Sequence, residues 1–151
     1  MSHWTLRQSR LSGSLTSLVS KWWIKLPIFI LPLIVDQVLK FLAVKCDLFP
    51  VYRNEGIVFG LSVGGNVYSI LFYLIIIVAL GVIYRRPLLK ALQKVGLIVV
   101  LSGAVCNLLD RIVYGATLDY LKLLTLPYFN LADVIIISGI LLFVASFYFD
   151  A

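Results

Sequence analysis

The chain has 151 residues, 62% of them hydrophobic and 13% charged, with a mean hydropathy of +1.04, whereas soluble domains run near about half apolar and a quarter charged. That excludes an ordinary soluble domain and points to one integral membrane unit. The formal charge of +6 does not form a nucleic-acid face either, because Arg7, Arg10, Lys21, Lys25 and then Arg85, Arg86, Lys90, Lys94 gather beside apolar runs, as in cytoplasmic loops.

Residues 1–21 are Ser-rich and basic and read as a cytoplasmic lead, with residues 22–151 as the membrane domain. No A-x-A-like site follows the first apolar run, so an uncleaved start is expected. The first predicted span runs from Trp22 to Val44 and opens on an interfacial Trp pair. Pro27 and Pro32 are tolerable there because a helix bundle can satisfy the freed backbone groups. Asp36 and Lys40 share one helix face, acid before base, and are predicted to neutralise each other as a structural pair. Ala43-Val44-Lys45-Cys46 is no lipobox, since Lys45 stands where a small residue is required.

Residues 45–66 read as an extracytoplasmic stretch. Val51-Tyr52-Arg53 has strand composition, Asn54-Glu55-Gly56 a turn, and Ile57 to Leu61 an apolar return, which predicts a small surface hairpin or sheet. Val67–Ile83 is an uncharged span of about 26 Å. A basic loop, Tyr84–Lys94, follows.

The third span, Val95–Leu109, runs into Asn107, Asp110 and Arg111. Gly103, Asn107 and Arg111 lie on one helical stripe with Asp110 beside it, and Gly103 suits close helix approach. Cys106 reads as a packed core residue. With Cys46 it makes no metal spacing, and His3 is the sole histidine, so no metal is expected. A second outer loop carries Asp119, Lys122 and Pro127. The fourth span, Leu131–Phe149, holds Asp133 in its first turn with Asn130 just before it.

The expected fold is therefore an all-α membrane protein with four transmembrane helices and a small extracytoplasmic β-hairpin or sheet plus loop. With both termini inside, Asp36, Asp47, Glu55, Asp110, Asp119 and Asp133 converge on the outer side. Ionisable groups at membrane depth are costly and mark function. Two close carboxylates share a proton, so one can activate water against an amide while the other protonates the leaving nitrogen. Asn side chains from the two Asn-x-x-Asp motifs, 107/110 and 130/133, can donate to the carboxylates and the oxyanion. The same acids also suit an ion- or proton-coupled transporter using Asp36, Asp110 and Asp133. The residues alone leave both open, and a non-catalytic assembly factor would leave the outer carboxylates without a role.

The chain resembles the lipoprotein signal peptidases (signal peptidase II), the intramembrane aspartic peptidases of bacteria. The resemblance rests on Asp36-Gln37-Val38-Leu39-Lys40, on Arg53-Asn54-Glu55-Gly56-Ile57-Val58-Phe59-Gly60, on Gly103 through Arg111, on Leu118-Asp119-Tyr120, and on Phe129-Asn130-Leu131-Ala132-Asp133. It implies Asp119 and Asp133 as the catalytic dyad, Asn107 and Asn130 bonded around it, and Asn54, Gly56 and Arg111 framing the substrate. Asp36, Lys40, Gly103 and Asp110 are left as polar or structural support. It further implies cleavage of a prolipoprotein on the amino side of its diacylglyceryl cysteine, with water and no cofactor. A bacterial inner-membrane location, contact with membrane lipids and a monomer belong to the same expectation. Cys106 for a common Gly, Glu55 for a frequent Thr, and Leu118 and Tyr120 for Val and Phe depart mildly from the pattern. Motif symmetry would instead pair Asp110 with Asp133. Asp110, however, adjoins Arg111, while Asp119 has nothing basic beside it before Lys122, and a carboxylate held by a cation makes a poor proton donor.

Overall fold

Four runs are long and apolar enough to cross a membrane, and in the computed structural model each is a helix: α1 (Trp22–Cys46), α2 (Asn66–Tyr84), α3 (Ala91–Tyr114) and α4 (Leu131–Phe149). The structure describes residues 21–46, 50–56 and 65–149. Nearly all of the expected N-terminal lead and the apolar return at 57–61 lie outside the described residues.

Helix α3 is longer at both ends than its apolar run. At its start the Lys90 amide donates to the Gln93 side chain at 2.9 Å, which satisfies a helix-end group and draws Lys94 into the first turn. At its end Arg111 sits in the last turn, where a cation suits the dipole, and Gly115 closes the helix at φ 76°. The apolar pattern had followed membrane depth, whereas the helix continues wherever local backbone bonding does.

Helix α3 is also the centre of the bundle. Of its most apolar stretch 67% is buried, against 11–17% for the other three helices. Those helices turn Leu31, Ile75, Val78 and Leu141 outward, the surface that lipid tails would cover. The tightest seam joins α3 to α4 through glycines. A Cβ added at Gly103 would lie 2.7 Å from the Ala132 carbonyl oxygen, and one at Gly139 2.7 Å from the Val100 amide. The close approach expected at Gly103 is thus present. It sets Asn107, one turn further along α3, against the start of α4.

Two short strands cap the end of the bundle at which α3 finishes. β1 (Tyr52–Asn54) runs antiparallel to β2 (Thr117–Asp119), with Tyr52 opposite Asp119 and Asn54 opposite Thr117. An isolated bridge, Leu121 to Phe129, leads the chain on toward α4. The expected surface sheet is present, but the strand paired with β1 comes from the second outer loop. That pairing is fixed from below, because Arg53 donates to the Tyr114 carbonyl and the Leu118 amide donates to Asp110.

Candidate active site

Asp119 ends β2 and is 1% exposed. Two side-chain amides hold it: Asn54 donates to Oδ2 at 2.9 Å, and Asn130 donates to Oδ1 at 2.7 Å. Asn54 is placed by the strand pairing, and its own oxygen accepts the Gly56 amide at 2.9 Å. Asn130 is the cap residue of α4. Its oxygen accepts the Asp133 amide at 3.0 Å, and its amide donates back to Asp133 at 3.1 Å. This is a capping box, the reciprocal way to satisfy helix-end donors, and it fixes Asp133 in the first turn.

A third asparagine closes the ring. Asn107 on α3 donates to Asp133 at 2.9 Å and accepts from Asn130 at 3.1 Å. Asp119 and Asp133 are therefore joined through Asn130 and Asn107. Among the described residues no lysine or arginine forms an ion pair with either acid. Burial, the largest influence, raises the Asp119 carboxyl to about 6. The Asn54 hydrogen bond works against that rise, and the nearby Asp133 charge adds to it. Tyr120, the next residue, is pushed up to about 12 by burial, and its hydroxyl accepts the Leu131 amide at 3.4 Å.

The remaining acids form a separate cluster just below. Lys40 Nζ lies 2.6 Å from Asp36 and 2.7 Å from Asp110, and all three side chains are fully buried. Each acid then reaches a backbone amide next to the upper pair. Asp110 accepts from Leu118, which precedes Asp119, at 3.2 Å, and Asp36 accepts from Ala132, which precedes Asp133, at 3.0 Å. Gln37 adds a bond to Asp110 at 3.1 Å. Lys40 is thus the hub of a scaffold under both upper carboxylates.

Asp119, Asp133, Asn54, Arg111 and Tyr73 line one cavity of about 470 Å³, whose other walls include Val100, Ala104, Tyr128, Phe129 and Ile136. Its floor is polar at the two acids and its sides are apolar, a shape that suits a peptide joined to an apolar group. Arg111 donates to the carbonyls of Gly56 and Glu55, its guanidinium lies 5.5 Å from the Tyr73 ring, and its own carbonyl accepts from Asn66.

Two expectations change. The cation on Asp110 is Lys40 from α1; Arg111, although next in sequence, turns to Gly56 and Tyr73. The repeated Asn-x-x-Asp pattern is also no structural repeat. At 130/133 it is a capping box, whereas at 107/110 the two side chains diverge within α3, Asn107 to Asp133 and Asp110 to Lys40. Asp36 and Asp110 are consumed by Lys40, which removes two of the three acids that a transporter reading requires. Cys106 is fully buried in the core, as expected, while Cys46 is exposed. Sequence reasoning gave no role to Tyr73, Asn66 or Gln37. Gln37 stands inside a quoted motif, but Tyr73 sits in an apolar run with nothing to single it out.

Comparison with known proteins agrees with this picture. The family described as signal peptidase (SPase) II matches residues 18–149. The lipoprotein signal peptidase of Microcystis aeruginosa is 32% identical over 147 residues, 84% of this chain and 92% of that protein. Those of Blochmanniella pennsylvanica and Chlamydia pneumoniae are 34% and 37% identical over 64% and 66% of this chain. These two matches span 64% and 62% of the relatives' own lengths. A bacterial membrane enzyme solved by the in meso method shares the fold, with a TM-score of 0.75 at 22% identity over 85% of this chain and 90% of that one.

Proposed function

The chain belongs to the signal peptidase II family, and on that premise we propose that it is an intramembrane aspartic endopeptidase acting on prolipoproteins. Its substrate is a precursor with a diacylglyceryl cysteine, cut on the amino side of that residue. The observation that carries this reading is the pair Asp119 and Asp133, joined through Asn107 and Asn130, with no ion-paired cation among the described residues, at a cavity with apolar walls.

Asp119 is the more buried acid and, with its carboxyl raised to about 6, is the one that holds the proton. Asp133, only partly buried in the first turn of α4, is the base. It takes a proton from water, and the hydroxide adds to the scissile carbonyl. Asp119 protonates the departing nitrogen, the C–N bond breaks, and Asp133 returns its proton to the shared site. Both amide hydrogens of Asn130 are already used on Asn107 and Asp119, so Asn130 orients the pair. Asn54 lines the cavity, and among the described residues one of its amide hydrogens is left, which suits it to the oxyanion. The apolar walls take the diacyl group.

The acids and the basic residues of the Arg85–Lys94 stretch occupy opposite ends of the bundle, which supports a site at the extracytoplasmic face with both termini cytoplasmic. The unit acts as a monomer in the bacterial inner membrane. The test is to incubate purified protein with a prolipoprotein, lipidated or not, and read cleavage as a gel shift. Lipidated precursor should be cut and unlipidated precursor poorly. Equal rates on the two would remove the lipid from the recognition scheme, and no cleavage of either would end the reading.

A further inference from the structure

A second cavity, about 330 Å³, lies at the other end of the bundle, between α1, α2 and α3. Leu26, Phe29, Leu80, Leu97 and Leu101 make its walls, so it is a slot for hydrocarbon. Gly81 leaves it open on the α2 side, where an added Cβ would meet nothing within 4 Å.

Its mouth is cationic. Lys25 from α1 and Lys94 from α3 converge on the Tyr84 ring of α2, at 5.6 and 6.0 Å from the centroid. Among the described residues neither ammonium has a carboxylate within 4 Å, since the ion pairs all belong to Lys40. Lys94 also stands in the first turn of α3, which contains no acid and where the helix dipole disfavours a cation. The exposed rings of Trp22 and Trp23 begin α1 at this level, which marks headgroup depth. The nearest acid along α1, Asp36, is about 16 Å away.

We propose that this groove binds one anionic phospholipid, with its phosphate between Lys25 and Lys94 and an acyl chain in the slot beside Gly81. Charge selects the lipid: a zwitterionic headgroup brings its own cation beside its phosphate, which the two ammonium groups repel, and a soluble phosphate gains nothing from the apolar walls. The site is independent of the peptidase reading, because it shares no residue with the acids.

The test uses the full chain purified in detergent, with binding followed by native mass spectrometry and thermal unfolding. Phosphatidylglycerol, phosphatidylcholine with the same acyl chains, and inorganic phosphate are compared. Phosphatidylglycerol should be retained and should raise Tm more than the other two. K25Q/K94Q should weaken phosphatidylglycerol roughly 25-fold, at about a factor of five per lysine, and leave phosphatidylcholine unchanged. Gly81→Leu, which keeps both lysines and whose Cβ meets nothing within 4 Å, should block retention by filling the slot. Equal behaviour of the two lipids on the parent protein overturns the proposal without any variant. A preference for phosphatidylglycerol that survives K25Q/K94Q, or retention that survives Gly81→Leu, places the lipid elsewhere and overturns it too. Inorganic phosphate matching phosphatidylglycerol would mean that the site holds an ion and no lipid.

Discussion

Two clusters of buried polar side chains lie one above the other at the same end of this bundle, and they are built on opposite plans. In the lower one Asp36 and Asp110 flank Lys40 at 2.6 and 2.7 Å, and all three are sealed from solvent. In the upper one Asp119 and Asp133 are held, among the described residues, by neutral asparagines, and both reach a cavity. Each lower acid is tied to the Lys40 ammonium and to a backbone amide, and none of the three side chains reaches a cavity where a substrate could exchange a proton with it. The upper acids have no such counter-charge, and Asp119 titrates at about 6, within reach of a proton transfer. Burial is common to both clusters. What separates scaffold from chemistry is whether a fixed charge accompanies the acid.

The largest effects come from removing the upper carboxylates. Asp119→Asn and Asp133→Asn are each expected to reduce cleavage by about 10³-fold or more, with the protein still inserted and folded. Asp110→Asn should instead lower expression or Tm and leave measurable activity in whatever folds. A folded Asp119→Asn protein with full turnover, beside a folded but inactive Asp110→Asn, would reverse the roles of the two clusters. Next is Lys40→Met, which leaves two acids buried beside each other without a cation and should cost about 3–5 kcal/mol of stability. Converting Asp36 and Asp110 to Asn in the same protein should recover part of that loss, as read by thermal unfolding.

A smaller effect separates the clusters by pH. The Asp119 carboxyl moves from 3.8 to about 6 on folding, so the folded state favours its neutral form. Its contribution to stability is full below about pH 4 and is lost as pH rises through about 6, a swing of about 3 kcal/mol. Tm should fall across that window, and the fall should shrink in Asp119→Asn. An unchanged slope in the variant would mean that Asp119 does not titrate there. On the same grounds kcat/KM should decline above about pH 6 as Asp119 loses its proton. The subtlest test is Asn54→Ala. The Asn54 bond is the strongest influence holding the Asp119 carboxyl down, so its loss should move that limb to higher pH. A limb that stays in place or moves to lower pH would count against Asp119 as the proton holder.

The sequence by itself determined the four spans, the Asp36–Lys40 pair and the close approach at Gly103, while the residues of the upper cluster were legible only through the resemblance to a family. Those features are local: an apolar run of sufficient length, a helical spacing of charges, or a short motif carries each of them within a few residues. Asn130 and Asp133 form their capping box within one turn, so the motif is already the structure. The tertiary structure alone decided which distant groups meet. The strand partner of β1 comes from the second outer loop, and Lys40 on α1 takes Asp110 on α3 while the adjacent Arg111 turns to Gly56. No periodicity encodes such pairings, because they follow from how closely α3 approaches its neighbours and from where a buried charge finds its counter-charge. The convergence of Lys25 and Lys94 on Tyr84 is of the same kind. Three residues scattered over three helices become one site only when the bundle closes.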